Sequence, residues 1–104
     1  MKISVRPSPF AEDEIEYYIR RYESESPGLG DRLWRDIQNV KELVSEHPQI
    51  GESVRRTRGL VRRFPLHDFP FFLIYRERVD HLQIVALAHT SRKPYYWRGR
   101  LKFD

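Results

Sequence analysis

The segment FPFFLIYR at residues 69–76, followed after a polar tip by LQIVALA at residues 82–88, decides the fold. Both runs are apolar at odd and even positions alike. That is the pattern of strands covered on both faces, and they are too short for isolated buried helices. Residues 76–80 between them are polar and read as a hairpin tip, so the two runs form an antiparallel pair. Upstream, residues 60–66 form the next strand out. Residues 53–58, with Arg55, Arg56 and Arg58, are expected to be a strand or strand entry with a basic face.

The first half has a different period. Ile3 and Val5 alternate with polar residues, as in a short strand. Ser8-Pro9 is a helix start: the hydroxyl caps free N–H groups, and the ring presets the first turn. Glu12, Asp13 and Glu14 follow where the helix dipole favours negative charge. Ala11, Ile15, Tyr18, Ile19 and Tyr22 make one helical stripe, and Leu29, Leu33, Ile37, Val40 and Val44 make a second. The stretch SPGLG at residues 26–30 separates them, and Pro48 closes the second helix. Trp34 lies beside the second stripe and is expected to pack. The result is one α+β domain over residues 1–104: an N-terminal strand and a helical hairpin packed on one face of a mainly antiparallel sheet.

The composition narrows the chemistry. With 104 residues there is room for one core, and with no cysteine there is no disulfide framework, zinc finger or thiol nucleophile. His47, His67, His81 and His89 lack paired metal-ligand spacing, so neither a metal nor another cofactor is expected. No apolar run reaches the roughly 18 residues of a membrane span, and residues 1–10 do not read as a secretory signal; a cytoplasmic protein is expected. Residues 1–52 carry a net charge of −4 and residues 53–104 a net of +8, giving +4 for the whole. A basic second half meets nucleic acid, an acidic protein segment, or the chain's own acidic first half.

Two groups of residues could carry function. Arg55, Arg56, Arg58, Arg62 and Arg63 are close in sequence, and Arg98 and Arg100 lie beyond the last strand. Guanidinium forks match phosphate or carboxylate oxygens. Arg62 and Arg63 alternate across the sheet, so only one of them can face a given ligand. The second group is His89, Arg92, Tyr95, Tyr96 and Trp97, in the string HTSRKPYYW. Aromatics interleaved with arginines can stack on bases while the arginines hold phosphates. The alternative is that the aromatics seal the sheet, which is the expectation for Trp97. His89 could act as a general acid or base, or serve as a structural hydrogen-bonding residue.

These stretches together resemble the RelE/ParE superfamily of toxins from type II toxin–antitoxin modules. The resemblance runs through SPFAEDEIEYYIRRY, through LWRDIQNVKELVSEHPQIGES with its P-x-x-G, through GLVRRFPLHDFPFFLIYR, and through LQIVALAHTSRKPYYW. It implies a growth-arresting toxin with an acidic, partly disordered antitoxin as its partner. In the RelE-like branch the target is ribosome-bound mRNA, which is cut. Arg62 or Arg63, His89, Arg92, and Tyr95 or Tyr96 would then match that branch's catalytic positions. Its lysine pair is replaced here by Arg55, Arg56 and Arg58. The FPFFLIYR strand and the HTSRKPYYW ending look more like the ParE, or plasmid-stabilisation, branch, whose members inhibit DNA gyrase. A member that binds an antitoxin but harms nothing is a further alternative.

Overall fold

A computed structural model describes residues 2–103. The chain runs β1 (Val5–Pro7), α1 (Pro9–Glu25), α2 (Leu29–Glu46), β2 (Glu52–Ser53), β3 (Val61–Pro65), β4 (Phe71–Glu77) and β5 (Leu82–His89), and then a 3₁₀ helix over Arg98–Lys102. The sheet order is β1-β5-β4-β3-β2. Strands β2 to β5 form an antiparallel meander, while β1 joins β5 in parallel. Among the described residues no helix is long and apolar enough to cross a membrane.

Local signals set the helix limits. Ser8 Oγ accepts the Ala11 N–H at 3.2 Å, with Pro9 in the first turn. Helix α2 starts at Gly28, whose φ of 89° suits a residue without a Cβ. The Glu23 carboxylate reaches across from α1 and accepts the Gly28 and Gly30 N–H groups at 3.0 Å. It thereby satisfies donors at the start of α2 that have no intrahelical partner.

The hairpin covers one face of the sheet. Ala11, Leu33, Ile37, Val40 and Val44 pack there on Phe71, Leu73, Tyr75, Leu82, Ile84 and Leu87. Asp36, although buried, accepts the N–H groups of His67 and Asp68 at 2.9 and 2.7 Å and so ties α2 to the β3–β4 connection. Tyr75 Oη donates to Pro48 O and accepts the Gly51 N–H, both at 2.9 Å, fixing the chain as it enters β2.

The opposite face has its own core. Val61, Ile74, Val85, Ala86 and Ala88 are covered by Trp97, with Val54, Phe72, Tyr95, Tyr96 and Leu101 around them. Strand β4 is therefore covered on both sides, as its sequence implies. A bulge interrupts the β4–β5 register. Ile74 pairs with Ala86 and Tyr75 with Ile84, leaving Val85 as the extra residue.

Two expectations from the sequence are corrected. Residues 53–58 are not a strand: pairing stops at Ser53, and residues 55–59 form a turn with Arg56 and Arg58 at positive φ. Trp34 does not pack into the core but stands 48% exposed on α2. It follows Leu33, and one helical step of about 100° carries it off the buried stripe.

Gly51, like Gly30, leaves no room for a side chain. A Cβ at Gly51 would meet Tyr75 Oη at 2.6 Å and the Arg63 carbonyl at 2.9 Å. Gly51→Ala is expected to lower unfolding free energy by about 2 kcal/mol in urea titrations. A change below about 0.5 kcal/mol would mean that this junction is not tightly packed.

Candidate functional site

The tail after β5 builds the site. Pro94 and the left-handed Tyr95, with φ of 64°, turn the chain back across the sheet. Trp97 is then laid against β4 and β5, only 4% exposed. Between this tail and the residue 51–60 turn lies a groove of about 280 Å³. Its floor is Phe72, Ile74, Ala88 and Trp97, and Arg55, Arg63, Arg92 and Lys93 line its sides. Arg63 Nε is 2.7 Å from Glu52 Oε1, and its guanidinium lies 4.5 Å from the Phe72 ring centre.

A partly buried carboxylate anchors the tail. Strand β1 pairs with β5 only as far as Ile84, so the edge beyond has no strand neighbour. Glu14 of α1 fills that gap: its Oε1 accepts the Leu87 N–H at 3.1 Å. Arg100 grips both Glu14 oxygens at 2.8 Å and donates to the Val85 carbonyl at 3.0 Å. Tyr96 Oη donates to Glu14 Oε2 at 2.8 Å. Burial first, and then this bond, push the Tyr96 hydroxyl well above the ordinary tyrosine value. The hydrogen bonds to Glu14 push the Arg100 guanidinium further up still. On the far side of the tail, Arg76 holds the carbonyls of Leu101 and Phe103 at 2.8 and 2.6 Å.

The candidate residues therefore separate. Arg100, expected at a binding surface, is instead a structural ion pair, because the open edge of β5 needs both a donor and an acceptor. Arg62 and Arg63 face opposite sides: Arg62 donates to the carbonyls of Gln49 and Gly51, and Arg63 enters the groove. Arg55, Arg56, Arg58, Arg92 and Arg98 are exposed and have no carboxylate partner among the described residues. The Arg92 guanidinium lies over Tyr96, 3.7 Å from the ring centre.

The four residues His89, Arg92, Tyr95 and Tyr96 all line the groove, and two of them also bond within the fold. The ring of His89 turns toward the helices, 5.1 Å from Phe71 and 6.4 Å from Tyr18 between centres. Its Nδ1 accepts the Ser91 N–H at 3.0 Å, which places the ring proton on Nε2. Tyr96 is committed to Glu14. Tyr95 and Arg92 line the groove together with His89, and Arg63 lines it as well. Such a site can bind an anion and stack on a ring. Among the described residues no group of three acidic or histidine side chains is placed to hold a metal ion. Glu14 was not singled out in the sequence reading, although it sits three residues after Ala11 and four before Tyr18, on the apolar stripe, where a carboxylate needs partners.

Comparison with known proteins bears on this arrangement. The family described as the ParE toxin of type II toxin-antitoxin system, parDE, matches residues 5–94. A chain of the solved chromosomal ParDE TA system from P. aeruginosa has the same fold, with a TM-score of 0.64 at 17% identity. That match covers 86% of this chain and 98% of the other. No curated protein sequence matches.

Two outcomes test the anchor. Glu14→Ala strands a guanidinium and a strand N–H in a partly buried place and is expected to lower stability by about 3 kcal/mol in urea. A loss below about 1 kcal/mol would show the edge closed by other means. The raised Tyr96 value favours the neutral hydroxyl in the folded state. Its contribution is complete below the ordinary tyrosine value of 10.0 and is lost as pH climbs above it. Stability should therefore fall above pH 10 and fall less steeply in Tyr96→Phe; a residual slope is expected from Tyr75, whose hydroxyl is also raised by burial. Equal slopes in the two proteins would remove Tyr96 from the anchor.

Proposed function

The chain belongs to the ParE toxin family of type II toxin–antitoxin systems, and from that premise we propose that it arrests growth by binding and inhibiting DNA gyrase, with a cognate antitoxin neutralising it. One observation carries this reading. Arg55, Arg56, Arg58, Arg92 and Arg98 are held outward without carboxylate partners among the described residues, while Tyr96 Oη is taken up by Glu14. Such a surface suits docking onto a macromolecule better than proton transfer. An acidic, partly disordered antitoxin would meet these arginines with its carboxylates and fold on contact.

A second reading, ribosome-dependent mRNA cleavage, draws on Arg63, His89, Arg92 and Tyr95 or Tyr96, which line one groove. In it His89 Nε2 or Tyr95 Oη would carry the proton transfer.

Purified toxin is expected to inhibit gyrase supercoiling at micromolar concentration, and equimolar antitoxin should relieve the inhibition. A triple Arg55→Glu, Arg56→Glu, Arg58→Glu variant should lose at least about tenfold in potency while keeping its fold. Unimpaired supercoiling, together with codon-positioned cuts in primer-extension maps of induced cells, would replace the gyrase reading by the nuclease one. Normal growth on induction, with the antitoxin still copurifying, would leave a non-toxic binding protein.

A further inference from the structure

Helix α1 has two sides. Ala11, Ile15, Tyr18, Ile19 and Tyr22 turn toward the sheet. On the other side Phe10, Asp13, Tyr17, Arg21 and Ser24 recur every three or four residues and form one exposed lane. Tyr17, at its middle, is 56% exposed, with its ring set edge-on to Tyr18 and its Oη accepting from Arg21 Nη1 at 3.3 Å. Asp13 has no hydrogen bond or ion pair among the described residues. At the N-terminal end the exposed ring of Phe10 lies 5.7 Å from that of Phe103, also exposed. Asp13, Tyr17, Arg21 and Ser24 line a shallow depression of about 450 Å³.

The order of the charges selects the partner. Glu16 and Arg20, at the border of the lane, are paired with each other. Asp13 and Arg21 are left, one on each side of Tyr17, so the lane has an acidic half and a basic half with no net charge. An acidic segment or a nucleic acid would gain at Arg21 and lose at Asp13. A second copy of α1, laid antiparallel about a two-fold axis at Tyr17, gains at both. In that arrangement a residue k places before Tyr17 lies opposite the residue k places after it, because height along the helix and angle around it change sign together. Asp13 then meets Arg21 of the other copy, and the symmetry makes that contact twice. Tyr17 meets its own equivalent. Phe10 meets Ser24, a small residue whose Oγ already donates to the Arg21 carbonyl at 2.7 Å.

We propose that α1 carries a homodimer interface, in which two copies of the chain pack antiparallel through Phe10, Asp13, Tyr17, Arg21 and Ser24 with Tyr17 on the two-fold axis. Helix α1 lies against β5 and β1, whereas β2 and the arginine turn after it are at the opposite edge of the sheet. The dimer therefore leaves the arginine surface open and is independent of the toxin's target. The 17 residues of α1 span roughly 25 Å. One face of that length buries less than the roughly 800 Å² per partner of a standard interface, so the dimer is a weak one.

Sedimentation equilibrium of the purified chain over a concentration series reads the dimer directly. A monomer–dimer equilibrium with Kd below about 100 μM is expected at low salt, weakening as salt is added. Asp13→Arg and Arg21→Asp each set like charges against each other and should weaken it at least about tenfold. The chain carrying both substitutions restores opposite charges across the axis and should recover to within about threefold of the parent. These positions are exposed, so an unchanged circular dichroism spectrum is expected throughout. The axis has a separate test, since the chain has no cysteine. Tyr17→Cys places two thiols within disulfide reach and should give a linked dimer on mild oxidation. Ser24→Cys places them roughly 20 Å apart and should not. The proposal is overturned if the parent stays monomeric up to about 1 mM, if the double substitution associates no better than the single ones, or if Ser24→Cys links as readily as Tyr17→Cys. It is equally overturned if the charge reversals weaken antitoxin binding and leave self-association unchanged.

Discussion

The Glu14–Arg100 pair is what the rest of the structure depends on. The parallel pairing of β1 ends at Ile84, and the next residues of β5 would present bare backbone groups at an open edge. Side chains take the place of the missing strand. A carboxylate from α1 accepts the Leu87 N–H, and a guanidinium from the tail donates to the Val85 carbonyl. The same two side chains bind each other at both oxygens. An edge that would otherwise invite pairing with another chain is closed, and three separate segments are held to one another. The geometry is bidentate and hydrogen-bonded throughout, which is the condition under which a shielded ion pair offsets its desolvation.

Closure of that edge fixes where the tail lies, and the tail decides what the second face of the sheet becomes. With Trp97 pressed on Ile74 and Ala86, most of that face is core. What remains open is the groove between the tail and the residue 51–60 turn. The arginines are divided by the same geometry. Arg100 and Arg76 hold the tail, Arg62 ties down backbone carbonyls near Gly51, and Arg63 spans Glu52 and Phe72. Those in the turn and at Arg92 and Arg98 face outward. The basic character of the second half is therefore partly structural and partly surface, and only the surface share can meet a partner.

Much of this was legible in the chain. The two apolar strands, the Ser8-Pro9 cap, the helical stripes and the stop at Pro48 are local signals, set by steric and capping preferences within a few residues. Covalent alternation already placed Arg62 and Arg63 on opposite sides. What local signals misjudged was the turn at residues 55–59, where three arginines in four positions suggested a strand face and the backbone instead reverses through left-handed residues. Trp34 was misjudged because apolarity alone does not reveal which side of a stripe a neighbour falls on.

The sequence by itself determined the family, the α+β architecture and the excess of positive charge in the second half, because each follows from spacing and composition along the chain. Only the tertiary structure decided which charges are free. Glu14 is 86 residues from Arg100 and 73 from Leu87, and an unbroken apolar run cannot announce the bulge at Val85. No periodicity reports contacts over such separations; they exist only once the sheet edge, the helix and the tail are brought together.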